Sequence, residues 1–163
     1  MTTYESSTRS YIFTCDTCGG KDERFQIDWQ NQTAAVPAIA WATTYRPLLQ
    51  CGLEDLKILD VDRTWNAVEL YQDIKPRLIV ACSILGCPAN LDLVRSYANT
   101  INAYLIEDNC ESLGAESLVG TELKKCGTFG TLSTFSFFHS HQLSAIEGGM
   151  ILTDDDELAS LCR

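Results

Sequence analysis

Both histidines of this 163-residue chain fall in one short stretch, FSFFHSHQLSAIEGGM (135–150). His139 and His141 stand two residues apart, after an apolar run and ahead of Glu147 and a pair of glycines. On a strand, that spacing puts two imidazoles on one face, where they could grip a metal ion. A metal would need at least one further ligand, and Glu147 is the only acid close by, so the metal reading is the weakest and none is expected. A single imidazole could instead accept and donate a proton near neutral pH. The remaining reading is a polar surface or packing residue.

Three other stretches carry residue types with chemical uses. In LIEDNCESLGAE (105–116), Asp108 closes an apolar run and Glu111 lies three residues beyond. A carboxylate at the end of a buried strand is costly without a partner. One use for it is to hold a protonated ring nitrogen, keeping a pyridine cationic so that it draws in electrons. The commoner fate of such an acid is to cap the next loop. In GTFGTLSTFSFF (127–138), Gly127 and Gly130 make a loop and Ser136 lies near the end of the following strand. Hydroxyls and backbone amides there can hold a phosphate, or simply satisfy a turn. CDTCGG (15–20) looks like half a zinc knuckle. There is no second C-x-x-C, and Cys82 and Cys87 are spaced too widely to supply one, so Cys15 and Cys18 read as free thiols.

These residues need a scaffold, and the pattern predicts an α/β one. AAVPAIA, LKILDVD (56–62), RLIVACS (77–83), AYLIED (103–108), LSTFSFF (132–138) and GGMILT (148–153) read as short, mostly buried strands. WATTYRPLLQCG reads as a helix that ends at Gly52 and either starts near Pro47 or kinks there. NLDLVRSYANTIN places Leu91, Val94, Ala98 and Ile101 on one face, with Asn90 as cap. TDDDELASLCR opens a further helix with Thr153 as cap and acids in its first turn. Alternating strands and helices predict a doubly wound, mostly parallel sheet with helices on both faces. Ligands of such sheets bind at the carboxyl ends of the strands, which is where Asp108 and Ser136 fall. Residues 1–33 fit the pattern poorly and read as a divergent segment ahead of a partial domain at 34–163. The chain stops as a helix begins, which predicts a fragment.

Composition narrows the function classes. An apolar fraction of 45% and a charged fraction of 21% belong to a globular domain with a real core. The net charge of −10, with no basic cluster, argues against nucleic acid as a partner. No run is long and apolar enough to span a membrane, and MTTYESSTRSYIF lacks the basic and apolar regions of a secretory signal. The eight cysteines are scattered, several within apolar runs, so they read as mostly reduced thiols in a cytoplasmic protein.

From about Val36 to the last residue the chain resembles the DegT/StrS-type sugar aminotransferase family, fold type I pyridoxal phosphate enzymes acting on nucleotide-linked keto sugars. The resemblance rests on PAIAWATTYRPLLQCGL, ILDVD, ACSILGCPANLD, LIEDNCESLGA, GTFGTLSTFSFF and EGGMILTDDDEL, in family order and at family spacing. It implies an incomplete large domain of the fold type I aminotransferase fold. It also implies that Trp41 stacks on the cofactor ring, Asp108 pairs with the pyridine nitrogen, Glu111 sits near the ring's other substituents and Ser136 binds the phosphate.

Most of the family carries a Schiff-base lysine five residues after that serine. Here position 141 is His, and the lysines stand at 21, 57, 75, 124 and 125. That exchange resembles the sugar 3-dehydratase branch, whose histidine works with untethered pyridoxamine phosphate. The implied activity is removal of the C3 hydroxyl of a nucleotide-linked 4-keto-6-deoxy sugar, with His141 taking the proton from the cofactor's 4′ carbon. Glutamate is a possible amino donor, and a homodimer is implied for the full-length protein. The alternatives are an ordinary sugar aminotransferase, against which the missing lysine counts, and an inactive remnant. The remnant reading is favoured by the short length and by the absence, in DWQNQTAAVPA, of the family's Gly-Ser-x-Ala-Asn-like phosphate turn. Thr131 and Gln142 also depart from the family's usual Asp and frequent second His.

Overall fold

The computed structural model describes residues 32–53, 55–63, 66 and 74–162. The readings made for residues 1–31, Cys15 and Cys18 among them, lie outside the described residues. Six strands form one sheet in the order β2-β1-β3-β4-β7-β8. They are β1 (Thr33–Pro37), β2 (Asp55–Leu59), β3 (Leu78–Cys82), β4 (Tyr104–Asp108), β7 (Leu132–Ser136) and β8 (Gly149–Leu152). All neighbours run parallel except β8, which returns antiparallel on β7.

Strand alternation assigns the two faces of the sheet. Ala34, Val36, Leu78 and Val80 pack with Leu53 under α1 (Ala42–Gln50), touching its Tyr45 and Leu48. Ala35, Ile79, Ala81 and Leu105 face the other way, against Leu91, Val94 and Ala98 of α2 (Leu91–Ile101). Helices therefore cover both faces, as the alternation predicts. All five residues of β3 are buried, which explains its uninterrupted LIVAC run. Asn90 caps α2 by accepting from the Leu93 amide, and Asn102 ends it in the left-handed region at φ 56°.

Three local expectations differ from what the chain does. Helix α1 begins at Ala42 and carries Pro47 inside it, so the Thr43 carbonyl goes without its helical partner. The cap of α3 (Asp156–Leu161) is Asp155, whose carboxylate accepts from Glu157 and Leu158. Thr153 is drawn off instead to donate to the Thr131 carbonyl, 2.8 Å away. A hairpin of β5 (Glu116–Val119) and β6 (Glu122–Lys125), turning at Gly120 and Thr121, was not anticipated, because ESLVGTELKK has little apolar content to mark it.

Candidate functional site

The strand order reverses between β1 and β3, and crevices at the carboxyl ends of such sheets are the usual ligand sites. Trp41, Asp108, Glu111 and Ser136 lie at that edge. Trp41 is the N-cap of α1, just past β1, and is 75% exposed. Asp108 is the last residue of β4, Glu111 lies in the turn after it, and Ser136 is the last residue of β7. His139 and His141 occupy the long connection, 137–148, between β7 and β8.

That connection changes the meaning of the histidine spacing. The two residues are in turn and bend, not strand, and the His141 amide bonds back to the Phe138 carbonyl at 3.0 Å. Strand alternation therefore does not put the imidazoles on a common face. Both pack instead at Phe138, with ring centroids 4.1 Å away for His139 and 6.4 Å for His141.

Two adjacent acids on β4 point to opposite faces and have opposite fates. Glu107 turns toward α2's face and is 0% exposed. Its carboxylate accepts from the amides of Phe129 and Gly130 at 2.6 Å and Gly127 at 2.7 Å, from the Ser133 hydroxyl at 3.1 Å, and from Asn109 at 3.4 Å. Charge-assisted bonds of this kind offset the cost of burying a carboxylate. Gly130 is required there, because a Cβ would come within 2.8 Å of the Leu105 and Leu132 carbonyls. Glu107 thus staples the 126–130 loop beneath β4 and β7.

Asp108 turns toward α1's face. Its Oδ2 accepts from the Thr44 hydroxyl at 2.8 Å and the Cys82 thiol at 3.5 Å, and its Oδ1 accepts from the Cys110 amide at 3.3 Å. Cys82 and Thr134 are its register partners on β3 and β7. Burial pushes the Cys110 thiol up to about 12, helped by the Asp108 carboxylate, and both causes raise Cys82 further. The donors around Asp108 are therefore neutral at ordinary pH, and no cation pairs with it among the described residues. A carboxylate so placed suits a cationic ligand group.

Glu111 joins the loops after β3, β4 and β7. Its Oε2 accepts from the Leu85 amide at 2.7 Å, and its backbone carbonyl accepts from the Gln142 side chain. Leu85 is held in the left-handed region at φ 53° while 77% exposed, a strain found at ligand sites more than elsewhere. Ser136 Oγ accepts from the Phe138 amide at 3.2 Å. Asp108 and Ser136 end their strands at the carboxyl edge, where the sequence pattern expects them. Thr44, Cys110 and Leu85 were not anticipated, although Thr44 lies one helical turn beyond Trp41, and Cys82 and Gln142 drew notice only for cysteine spacing and for a departure from the family pattern.

The profile of the DegT/DnrJ/EryC1/StrS aminotransferase family matches residues 24–163, starting upstream of Val36. The chain is 42% identical over 129 residues to the GDP-4-keto-6-deoxy-D-mannose 3-dehydratase of Escherichia coli O55:H7, covering 76% of this chain and 32% of that protein. Its identity to the enzyme of the same name from Yersinia pseudotuberculosis is 39% over 128 residues, covering 76% and 31%. A crystal structure of GDP-4-keto-6-deoxymannose-3-dehydratase with a trapped PLP-glutamate geminal diamine superimposes with a TM-score of 0.63 at 36% identity, covering 78% of this chain and 33% of that one. The chain spans about a third of the length of the curated relatives it matches.

Proposed function

Because the chain belongs to the DegT/DnrJ/EryC1/StrS aminotransferase family, we propose that residues 34–163 form part of the cofactor-binding large domain of a nucleotide-sugar 3-dehydratase. Its six-stranded, mostly parallel sheet is that of fold type I pyridoxal phosphate aminotransferases. The observation that carries the dehydratase reading is His141. It stands five residues past Ser136, on the sheet edge that also bears Asp108, at the position where the family places its lysine. Lys57 lies on β2 and Lys124 and Lys125 lie on the β6 hairpin strand.

The residues present fit pyridoxamine phosphate. Asp108 offers a carboxylate acceptor, with no cationic partner among the described residues, to a ring N–H⁺, the exposed Trp41 indole offers a face for the ring, and Ser136 offers a hydroxyl to the phosphate. When bound, the cofactor supplies an amine for the sugar ketone and an electron-withdrawing ring. Asp108 keeps that ring protonated at nitrogen. His141 takes up a proton at an imidazole nitrogen and, lacking a primary amine, leaves the cofactor untethered. Glu111 steadies the loops on either side, since its carboxylate and carbonyl are engaged by Leu85 and Gln142.

The substrate we infer is a nucleotide-linked 4-keto-6-deoxy hexose that loses its C3 hydroxyl, with glutamate as amino donor, by analogy with the named relatives. We place the protein in the cytoplasm, as a homodimer at full length. No described helix is long and apolar enough to cross a membrane. Titration of the purified chain with pyridoxamine 5′-phosphate tests the reading. Saturable binding that raises the melting temperature and is lost in Asp108→Ala is expected, whereas no binding by the unsubstituted chain would overturn it.

A further inference from the structure

Trp41 and Asp108 sit on different elements, α1 and β4, yet a ring held between them needs a fixed separation. A side-chain hydrogen bond joins those elements at that point. Thr44 lies one helical turn past Trp41, its amide bonds to the Trp41 carbonyl at 2.9 Å, and its hydroxyl donates to Asp108 Oδ2 at 2.8 Å. The Cys82 thiol lies 3.5 Å from that oxygen and 4.0 Å from the Thr44 hydroxyl. Tyr45 and Leu48 of α1 pack on the core only partly buried, and the polar bond adds a directional tie to β4.

We propose that Thr44 is a positioning residue that orients the Asp108 carboxylate and ties it to the turn of α1 that carries Trp41, so that a pyridine ring is gripped at both its nitrogen and its face. The proposal rests on the cofactor reading above.

The Kd values of pyridoxamine 5′-phosphate and of its 1-deaza analogue, which carries C–H in place of the ring nitrogen, test this in wild type, Thr44→Val and Thr44→Ser. Thr44→Val is expected to bind pyridoxamine 5′-phosphate about tenfold more weakly, the scale of one hydrogen bond, and to bind the analogue as wild type does. Thr44→Ser is expected to keep the wild-type Kd for both. Equal weakening of both ligands marks a merely structural loss and overturns the Thr44 proposal, as does an unchanged Kd for pyridoxamine 5′-phosphate, while binding by wild type leaves the cofactor reading standing. No binding by wild type overturns the cofactor reading and this proposal with it.

Discussion

Asp108 and His141 reach the same edge of the sheet by different means. Asp108 is fixed by strand register, opposite Cys82 and Thr134, and by three donors. His141 is carried on a loop whose links to the sheet include the Gln142 bond to Glu111. Their residue types were legible in the sequence, since an acid after AYLIE and a histidine after a serine-ended strand are local features. The shell around Asp108 was not, because register between β3 and β4 depends on the fold and not on local pattern. The thiols beside the two acids of β4 give a pH signature. Burial raises Cys126 to about 11 and Cys110 to about 12, whereas unfolded thiols ionise near about 8.5. The unfolded chain therefore sheds protons that the folded chain keeps. The stability these thiols contribute is fully present below about pH 8.5 and lost as pH climbs through 9 toward 11 and 12. Melting temperature is expected to fall across that window, and less steeply in Cys110→Ser and Cys126→Ser. Variants with the wild-type slope would contradict the assignment.

At the scale of elements, the parallel strands and α2 could be read from the sequence because each has the composition its burial demands. Asn90 and the Leu91, Val94, Ala98 stripe are a cap and a face that need no tertiary context. Where tertiary contacts compete, local reading failed. Thr153 has the chemistry of a cap but is claimed by the Thr131 carbonyl, leaving Asp155 to cap α3. Pro47 left open a helix start or a kink, and α1 extends ahead of it, where Thr44 reaches Asp108 and Tyr45 donates to the Ala40 carbonyl. Glu107 was passed over beside Asp108 because parity decides which of two adjacent acids is buried, and sequence alone does not fix parity. Its removal should be costly. Glu107→Ala leaves the Gly127, Phe129 and Gly130 amides without their acceptor and is expected to destabilise by about 3 kcal/mol or more. Those three amides should also lose protection from hydrogen exchange. A loss under about 1 kcal/mol in denaturant melts would show that the staple is dispensable.

For the whole molecule, charge and composition excluded classes without choosing one. A net charge of −10 speaks against a phosphate-backbone partner, and the alternation of strands and helices named the sheet type. The order β2-β1-β3-β4-β7-β8 then brings the ends of β1, β3, β4 and β7 side by side. That single juxtaposition gathers residues up to a hundred positions apart, Trp41 and His141, onto one edge.

The central claim is that position 141 decides whether the cofactor is held covalently. The most direct measurement is the absorbance spectrum of the chain after incubation with pyridoxal 5′-phosphate and removal of the free cofactor, in wild type and in His141→Lys. Wild type is predicted to show no lysine-bound chromophore, and His141→Lys is predicted to gain one that borohydride fixes to residue 141. A variant with no such band, or a wild-type chain already carrying it, would contradict the placement of His141 at the reacting centre.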